Sequence, residues 1–288
     1  MERVRWIALL MSAASLAPGQ DRNQSRSIVY SRHGVVATSH ALATQAGVRI
    51  LEKGGSAVDA AIAANAVLSV VEPMMCGPGG DLFLIHRDAR SGKLEGLNAS
   101  GWAPRGLSVQ WLREQGHRTM PASGIHSVTV PGAVAGWAAA HRRFGRLPWE
   151  ELFEDAIRLA EDGHPVHEVI ASLWDSPRLR ESEEAARVFL PPPRAGQLFR
   201  NPALARTLRQ IAAGGRVAFY RGPVAEAILA ASRKHGGRMA AEDLAEYEPE
   251  WVQPISTTYR GWRVHELPPN GQGLAVLLML NIMEQFPA

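Results

Sequence analysis

The chain has 288 residues, of which 46% are hydrophobic and 20% charged, a composition ordinary for a globular protein with a sizeable core. The formal net charge is only +3, and the lysines and arginines are scattered along the chain, which argues against a nucleic-acid-binding surface. Cys76 is the single cysteine, so an internal disulfide and a cysteine-rich zinc site are excluded.

The first 27 residues form a separate segment. Two arginines precede an apolar run over residues 6–17, and small residues follow at plausible cleavage positions, a pattern typical of a secretory signal peptide. Two serines interrupt the run, so a chain start without a targeting role is the alternative. We predict a signal peptide and linker over residues 1–27, and an exported protein, periplasmic or extracellular, with a cytoplasmic one as alternative. No later segment is predicted to span a membrane.

The next residues predict short strands between 27 and 37, followed by a helix that has Ser39 as its N-cap. Apolar residues recur at helical spacing through residue 53. Gly54 and Gly55 then supply a left-handed helix end.

The stretch from Gly54 to Asp81 is the most informative part of the chain. Ser56 and Asp59 have the spacing of a capping box, and the helix that they begin, Ala57–Val71, is apolar on every side. It is shorter than the roughly twenty residues that a membrane span requires, so we predict a helix buried between layers of one domain. Pro73 ends it, and a tight loop over residues 76–81 follows.

Alternating residues predict a hairpin of strands 82–86 and 94–99. A short helix is predicted over residues 107–115 and a strand over 126–130. Later helices are predicted over residues 131–144, with Pro131 in the first turn, and over 149–162, 167–174, 202–213, 223–235, 241–247 and 274–286. Two paired strands, 256–259 and 262–267, precede the last helix. Because that helix is strongly apolar, we expect either a second chain to complete the core or the sequence to be a fragment.

No catalytic constellation emerges from the residues alone. Cys76 could act as a nucleophile if a base lay nearby, but a buried structural cysteine is the stronger interpretation. The loop over residues 76–81 could bind an anion through its N–H groups, but it matches no glycine-rich phosphate motif, and a tight structural turn is the stronger interpretation. Thr257 and Thr258 lie in a strand-like segment, where threonine is favoured for packing. The histidines show no metal-ligand spacing, and no metal or cofactor is predicted.

An ordered series of motifs changes this interpretation. The segments that carry it are residues 34–40, 43–47, 54–61 and 77–81, then 130–136, 219–222, 243–247, 259–261 and 268–269. In this order they resemble the N-terminal half of gamma-glutamyltransferases, also called gamma-glutamyltranspeptidases. The similarity runs from about residue 28 to the end, and each motif is weak when taken alone.

The resemblance implies an α/β (α+β) N-terminal-nucleophile hydrolase fold, a four-layer αββα sandwich that is incomplete in this chain, with residues 28–288 as the large-subunit part of one domain. Members are made as a zymogen that cleaves itself before a threonine at the head of a small subunit. That threonine attacks gamma-glutamyl amides such as glutathione, and water or an amino acid accepts the acyl group. The partners implied are a small-molecule acyl-amide substrate and the small subunit, with no nucleic acid. We therefore expect this chain to be inactive alone and to contain no catalytic residue.

The same resemblance identifies Asn98, Ser100 and Trp102 as substrate-binding residues. Trp102 stands where many members carry an arginine that grips the substrate α-carboxylate, and an indole cannot make that bidentate contact. The surrounding sequence is closer to the acylase-like branch, so another acyl amide is a credible substrate. Arg105 lies three residues further on and could replace the missing arginine. The alternatives are a catalytically dead scaffold or binding module and, less favoured, an anion-binding protein that uses the 77–80 loop.

Overall fold

The computed structural model describes residues 28–287, so the predicted signal peptide lies outside the described residues. Residues 28–33 contain neither helix nor strand, and the His33 N–H donates to Ser31 Oγ at 3.3 Å. From Gly34 onward the chain forms one unit of helices and short antiparallel sheets. The predicted strands between residues 27 and 37 are wrong for the part described, because no neighbouring strand pairs with this segment.

The helices are α1 (Ala41–Glu52), α2 (Ala57–Val71), α3 (Val109–Glu114), α4 (Ala133–Phe144), α5 (Glu154–Asp162), α6 (Glu168–Leu173), α7 (Glu183–Phe189), α8 (Pro202–Tyr220), α9 (Pro223–Lys234), α10 (Ala241–Ala245) and α11 (Gly273–Met283). Short 3₁₀ turns occupy Ile125–Ser127, Trp149–Phe153 and Pro177–Arg180. The strands are β1 (Leu82–Arg87), β2 (Leu94–Ala99), β3 (His164–Pro165), β4 (Leu198–Phe199), β5 (Glu250–Val252), β6 (Ile255–Tyr259) and β7 (Trp262–Glu266). Among residues 28–287, no helix is both long and apolar enough to cross a membrane.

Helix α2 is the buried element that the sequence predicts. Ser56 Oγ accepts from the Asp59 N–H at 3.0 Å, and the Asp59 carboxylate accepts from the Ser56 N–H at 2.8 Å, which completes the capping box. The same carboxylate accepts the Arg146 N–H at 2.9 Å, so it also anchors the loop after α4. Most of the helix is shielded from solvent, and it packs against α1, α4 and α5.

The predicted cap of α1 is wrong by one residue. His40, and not Ser39, is the N-cap, and its Nδ1 accepts the Leu42 N–H at 3.2 Å. The Ser39 hydroxyl donates instead to Glu72 Oε2 at 2.8 Å, beyond the end of α2. A long-range hydrogen bond to a buried carboxylate thus takes the group that local sequence assigned to the cap.

Three antiparallel sheets are described, in the orders β1-β2-β5, β3-β4 and β6-β7. The hairpin register pairs Leu82 with Ala99, and α4 packs against this hairpin. The β1 side chains alternate strictly, so that Phe83 and Ile85 remain exposed on the face that carries no helix. The prediction omitted β5, whose three residues are too few to give an alternating pattern.

Three other predictions need correction. Residues 126–130 form no strand, because the Val130 N–H donates to Trp102 O at 2.9 Å and no ladder partner is adjacent. Pro131 precedes α4, whose N-cap is Gly132, and does not lie in its first turn. The helix predicted over residues 202–213 breaks at Gly215, which has φ of +56°, but continues to Tyr220.

The last helix, α11, packs on β6 and β7 but leaves much of its apolar surface open. Only Leu277 of this helix is buried, whereas Leu278, Met279 and Ile282 are 53%, 60% and 62% exposed. Such a continuous apolar surface is unusual for a free face and is typical of an interface.

Candidate functional site

The candidate site forms where β2 ends and three loops meet. The Gly80 carbonyl accepts from the N–H groups of Gly132 and Ala133, both at 2.9 Å, so the loop before β1 is joined to the start of α4. A side chain at Gly132 would lie 1.9 Å from the Ala99 carbonyl oxygen. The backbones therefore approach each other more closely than any residue with a Cβ atom permits.

Asn98 and Ser100, both predicted to bind substrate, are brought together at the end of β2. The Asn98 Oδ1 accepts the Ser100 N–H at 3.0 Å, which is a local turn of the kind that asparagine favours. Asn270, in the turn before α11, accepts from Asn98 Nδ2 at 2.8 Å and donates to Ser100 Oγ at 2.9 Å. These amide and hydroxyl groups form a polar cluster that can recognise an uncharged polar group.

Trp102 is partly exposed and its indole faces different partners from those of Asn98 and Ser100. Its Nε1 donates to the Asp243 carbonyl at 3.3 Å, and its ring meets Tyr247 edge-on with 5.3 Å between the centroids. The structure therefore presents an aromatic wall at position 102, held against α10 and the residues that follow it.

Arg105 lies close to the Trp102 indole, but its charge is already paired. Its guanidinium donates to Glu246 Oε2 at 2.6 Å and lies 5.8 Å from the centre of the Trp102 ring. The Arg105 N–H donates to Asp243 Oδ1 at 3.2 Å, which fixes the backbone. The hydrogen bond to Glu246 raises the pKa of Arg105, so the group is a permanent cation. Because this pair is exposed, its contribution to stability is small.

Tyr247 and Asn270 belong to this site, and neither was identified from the sequence. Tyr247 holds the loop that carries Trp102. Its side chain is buried, and its hydroxyl accepts the Gly101 N–H at 3.2 Å. Burial raises the pKa of Tyr247, and the Asp81 carboxylate contributes in the same direction. Partial burial also raises the pKa of Asp81. The available signal was position, since Tyr247 ends one of the motifs in the series, and Asn270 directly follows another.

A second tyrosine fixes the start of α4. The Tyr220 hydroxyl donates to the Pro131 carbonyl at 2.5 Å and accepts the Ala135 N–H at 3.2 Å. Burial strongly raises the pKa of Tyr220, so this hydroxyl stays neutral and serves as a structural connector.

The nucleophile candidates of the sequence have structural surroundings. Burial, with the Glu72 carboxylate, raises the pKa of Cys76 to about 11, so the reactive thiolate is scarce at neutral pH. Thr257 lies in the middle of β6, opposite Val264, and its hydroxyl donates to Asn281. Its nitrogen is part of a peptide bond, so it has no free amine to act as a base.

Comparison with solved structures first defines the class of fold. The chain is 32% identical to a gamma-glutamyltranspeptidase of Helicobacter pylori, with a TM-score of 0.83 over 91% of this chain and 77% of that one. It is 42% identical to a cephalosporin acylase of Bacillus halodurans, with a TM-score of 0.82 over 93% of this chain and 53% of that one. The fold is therefore the mixed helix and sheet fold of N-terminal-nucleophile hydrolases, present in part, and that prediction is confirmed.

The family follows from the sequence comparison. The profile of the gamma-glutamyltranspeptidase family matches residues 43–288. A glutathione hydrolase-like proenzyme of Bacillus subtilis is 36% identical over 91% of this chain and 50% of its own length, and a glutathione hydrolase proenzyme of Escherichia coli is 34% identical over 90% and 46%. The chain belongs to the gamma-glutamyltranspeptidase family, and it spans about half the length of these curated relatives.

Proposed function

We propose that this chain is the large-subunit part of an exported gamma-glutamyltransferase-like enzyme that cleaves acyl amides through an acyl-enzyme on threonine. The observation that carries the proposal is the family match over residues 43–288, together with a chain that corresponds to about half of its relatives. Relatives are named as proenzymes, which supports a zymogen that is processed into two subunits.

In this proposal the small subunit supplies the nucleophile. A threonine at its amino terminus attacks the amide carbonyl, and its own amine, which has a pKa near neutrality, accepts the hydroxyl proton. The amine leaving group takes that proton, and water or an acceptor amine then releases the acyl group. Thr257, inside a strand, and Cys76, with its raised pKa, are poorly suited to this step.

The exposed apolar faces of the chain support a missing partner. Phe83 and Ile85 on β1, and Leu278 and Ile282 on α11, are all more than 40% exposed. In a fold of two stacked sheets such faces are buried by the second half of the sandwich. We propose that the threonine-bearing part covers them.

The substrate is a gamma-glutamyl amide such as glutathione or a related acyl amide. Glutathione is the substrate in the names of the curated relatives, whereas the acylase of Bacillus halodurans is named for a cephalosporin. Trp102 favours the second group, because an indole offers apolar contact and no fork of N–H donors for an α-carboxylate. Asn98 and Ser100 would then position the polar end of the acyl group.

The direct test compares the chain alone with the chain co-expressed with a threonine-bearing small subunit encoded downstream. The proposal expects no cleavage of a gamma-glutamyl anilide by the chain alone and turnover by the pair. A Thr→Ala change at the head of the small subunit is the matched control and should abolish turnover. Robust turnover by the chain alone would contradict the claim that the nucleophile lies elsewhere.

A catalytically dead scaffold is the second candidate, and the loss of the arginine at position 102 favours it. The two candidates differ in what the gene encodes next. An open reading frame that continues into a threonine-led small subunit supports the enzyme, and a stop codon without such a frame elsewhere supports the scaffold.

A further inference from the structure

A cleft lies at the corner where the chain passes from one sheet to another, at the end of the β1-β2 hairpin distant from the candidate site. Strand β5 ends at Val252 and β6 begins at Ile255, so Gln253 and Pro254 form the crossing. The hairpin lies on one side of this crossing and β7 on the other. The cleft is open to solvent, and its volume of about 500 Å³ is within the size range of small-molecule sites.

The walls of this cleft carry basic side chains from both sheets. Arg87 and Lys93 line it from the hairpin, and Arg263 and His265 line it from β7. Arg263 and His265 are two residues apart on one strand, so both point to the same face. The lining contains no aspartate or glutamate.

Of the nearby carboxylates, Glu95 pairs with Lys93 of the cleft lining, and Asp88 is engaged inside the hairpin turn. Glu95 accepts from Lys93 at 2.9 Å and is shared with Arg143, on the side of the hairpin that faces α4. Asp88 accepts the Ser91 N–H and hydroxyl, both at 2.7 Å, inside the hairpin turn. Within residues 28–287, neither Arg87 nor Arg263 has a carboxylate within 4.0 Å, whereas some arginines elsewhere in the chain, such as Arg49 and Arg209, form ion pairs.

Like charges held on facing walls repel each other unless an anion lies between them. We infer that this cleft is a binding site for a small anion with two or more negatively charged oxygens, of the phosphate or polycarboxylate class. Arg87 and Arg263 would donate to it from opposite walls, because guanidinium groups match the geometry of both kinds of oxyanion. The inference is independent of the proposed function, since the lining residues are all in this chain.

The test titrates the full chain with inorganic pyrophosphate and, separately, with the tricarboxylate tricarballylate, by calorimetry at low ionic strength. We expect saturable one-to-one binding that weakens about tenfold in Arg87→Gln and in Arg263→Gln, because each removes a charge-assisted contact. Binding of pyrophosphate alone assigns the phosphate class, binding of tricarballylate alone assigns the polycarboxylate class, and binding of both assigns their shared charge.

Arg90→Gln is the matched control, since Arg90 is exposed in the same hairpin turn but does not line the cleft. It removes the same charge and should weaken binding less than twofold. Thermal unfolding without anion checks that each variant is folded, and Lys93→Met replaces any arginine variant that is not. Equal weakening in all variants, or no saturable binding of either anion, would overturn the inference.

Discussion

The Tyr247 hydroxyl accepts a hydrogen bond from the Gly101 N–H at 3.2 Å, across 146 residues of sequence. This contact joins the loop that carries Trp102 to the residues after α10, and the indole of Trp102 stacks edge-on against the same tyrosine ring. The position of the Trp102 indole therefore depends on Tyr247, a residue to which we assign no chemical step. Its role is to hold the loop in place.

Tyr247→Phe should lower the free energy of unfolding by about 1–3 kcal/mol, because the partly buried Gly101 N–H loses its acceptor while the ring is retained. Chemical denaturation of the full chain measures the change. Tyr259→Phe is the control, since the Tyr259 hydroxyl lies on the β6-β7 hairpin, away from this loop, and the change should be within about 0.5 kcal/mol. Equal effects of the two substitutions would contradict a specific role for the Tyr247 hydroxyl.

Gly132→Ala should destabilise the chain by several kcal/mol, about 3 or more, because the added methyl would lie 1.9 Å from the Ala99 carbonyl oxygen and force the backbones apart. Gly79 directly precedes Gly80, in the loop that contacts the same junction. A Cβ atom added at Gly79 has open space around it, so Gly79→Ala is the control. That control should change stability by less than about 1 kcal/mol. Thermal unfolding of both variants gives the comparison, and a stable Gly132→Ala chain would show that the loops are not tightly joined.

The helices could be predicted from sequence because their signals are local. The capping box of Ser56 and Asp59, the left-handed Gly54 and the stop at Gly145 each act within a few residues of the helix end that they define. The same holds for the hairpin, whose turn is built by Asp88 and its neighbours. The family fold was predictable because an ordered set of weak motifs constrains far more than each one alone.

The remaining features depend on contacts between distant residues, which one sequence does not show. Val128, Thr129 and Val130 have β propensity. They form no strand, because the Val130 N–H donates to the Trp102 carbonyl and not to a neighbouring strand. Ser39 has the chemistry of a helix cap, but Glu72 takes its hydroxyl. The contact between Tyr247 and Gly101 could not be predicted for the same reason, although Tyr247 itself ends one of the motifs in the series.

Acid should destabilise the chain through His164. This side chain is buried, and burial together with nearby His40 lowers the pKa of His164 to about 4, from 6.5. At a pH between these two values, His164 binds a proton in the unfolded state but not in the folded state. The contribution of His164 to stability is therefore fully present above pH 6.5 and is lost as the pH falls towards 4. From pH 7.5 to 4.5 the loss due to this group is about 2.5 kcal/mol.

The measurement is urea unfolding of the wild-type chain and of His164→Met at both pH values. Carboxyl groups also titrate near pH 4.5, so the relevant quantity is the difference between the two proteins. His164→Met should lose about 2.5 kcal/mol less than wild type over this interval. Parallel losses in the two proteins would mean that His164 is protonated in the folded state.

Cys76 should resist thiol reagents while the chain is folded. Burial, with Glu72, raises the pKa of Cys76 to about 11, so at pH 8 the thiolate fraction is roughly two orders of magnitude below that of an ordinary cysteine. The labelling rate with a disulfide reagent at pH 8 should be lower by a similar factor than in the urea-unfolded chain. Rapid labelling of the folded protein would contradict this prediction and would make Cys76 a candidate nucleophile again.

If the proposed function is correct, we expect Trp102 and Arg105 to decide whether the substrate α-carboxylate is recognised. In the assembled enzyme, Trp102→Arg should raise the kcat/KM for a gamma-glutamyl anilide about tenfold or more relative to a 4-aminobutyryl anilide, which lacks only that carboxylate. Trp102→Gln removes the indole without adding a cation and should leave this ratio unchanged. The ratio is the informative quantity, because both variants also lose the hydrogen bond to the Asp243 carbonyl.

Arg105 is the alternative cation that could bind the substrate α-carboxylate. Its pair with Glu246 is exposed and contributes little to stability, so a substrate carboxylate could displace the glutamate. If Arg105 serves this role, Arg105→Gln lowers the same ratio about tenfold in the wild-type background and Trp102→Arg gains little. If it does not, Arg105→Gln leaves the ratio unchanged, and the aromatic wall at Trp102 is what selects an acyl group without an α-carboxylate.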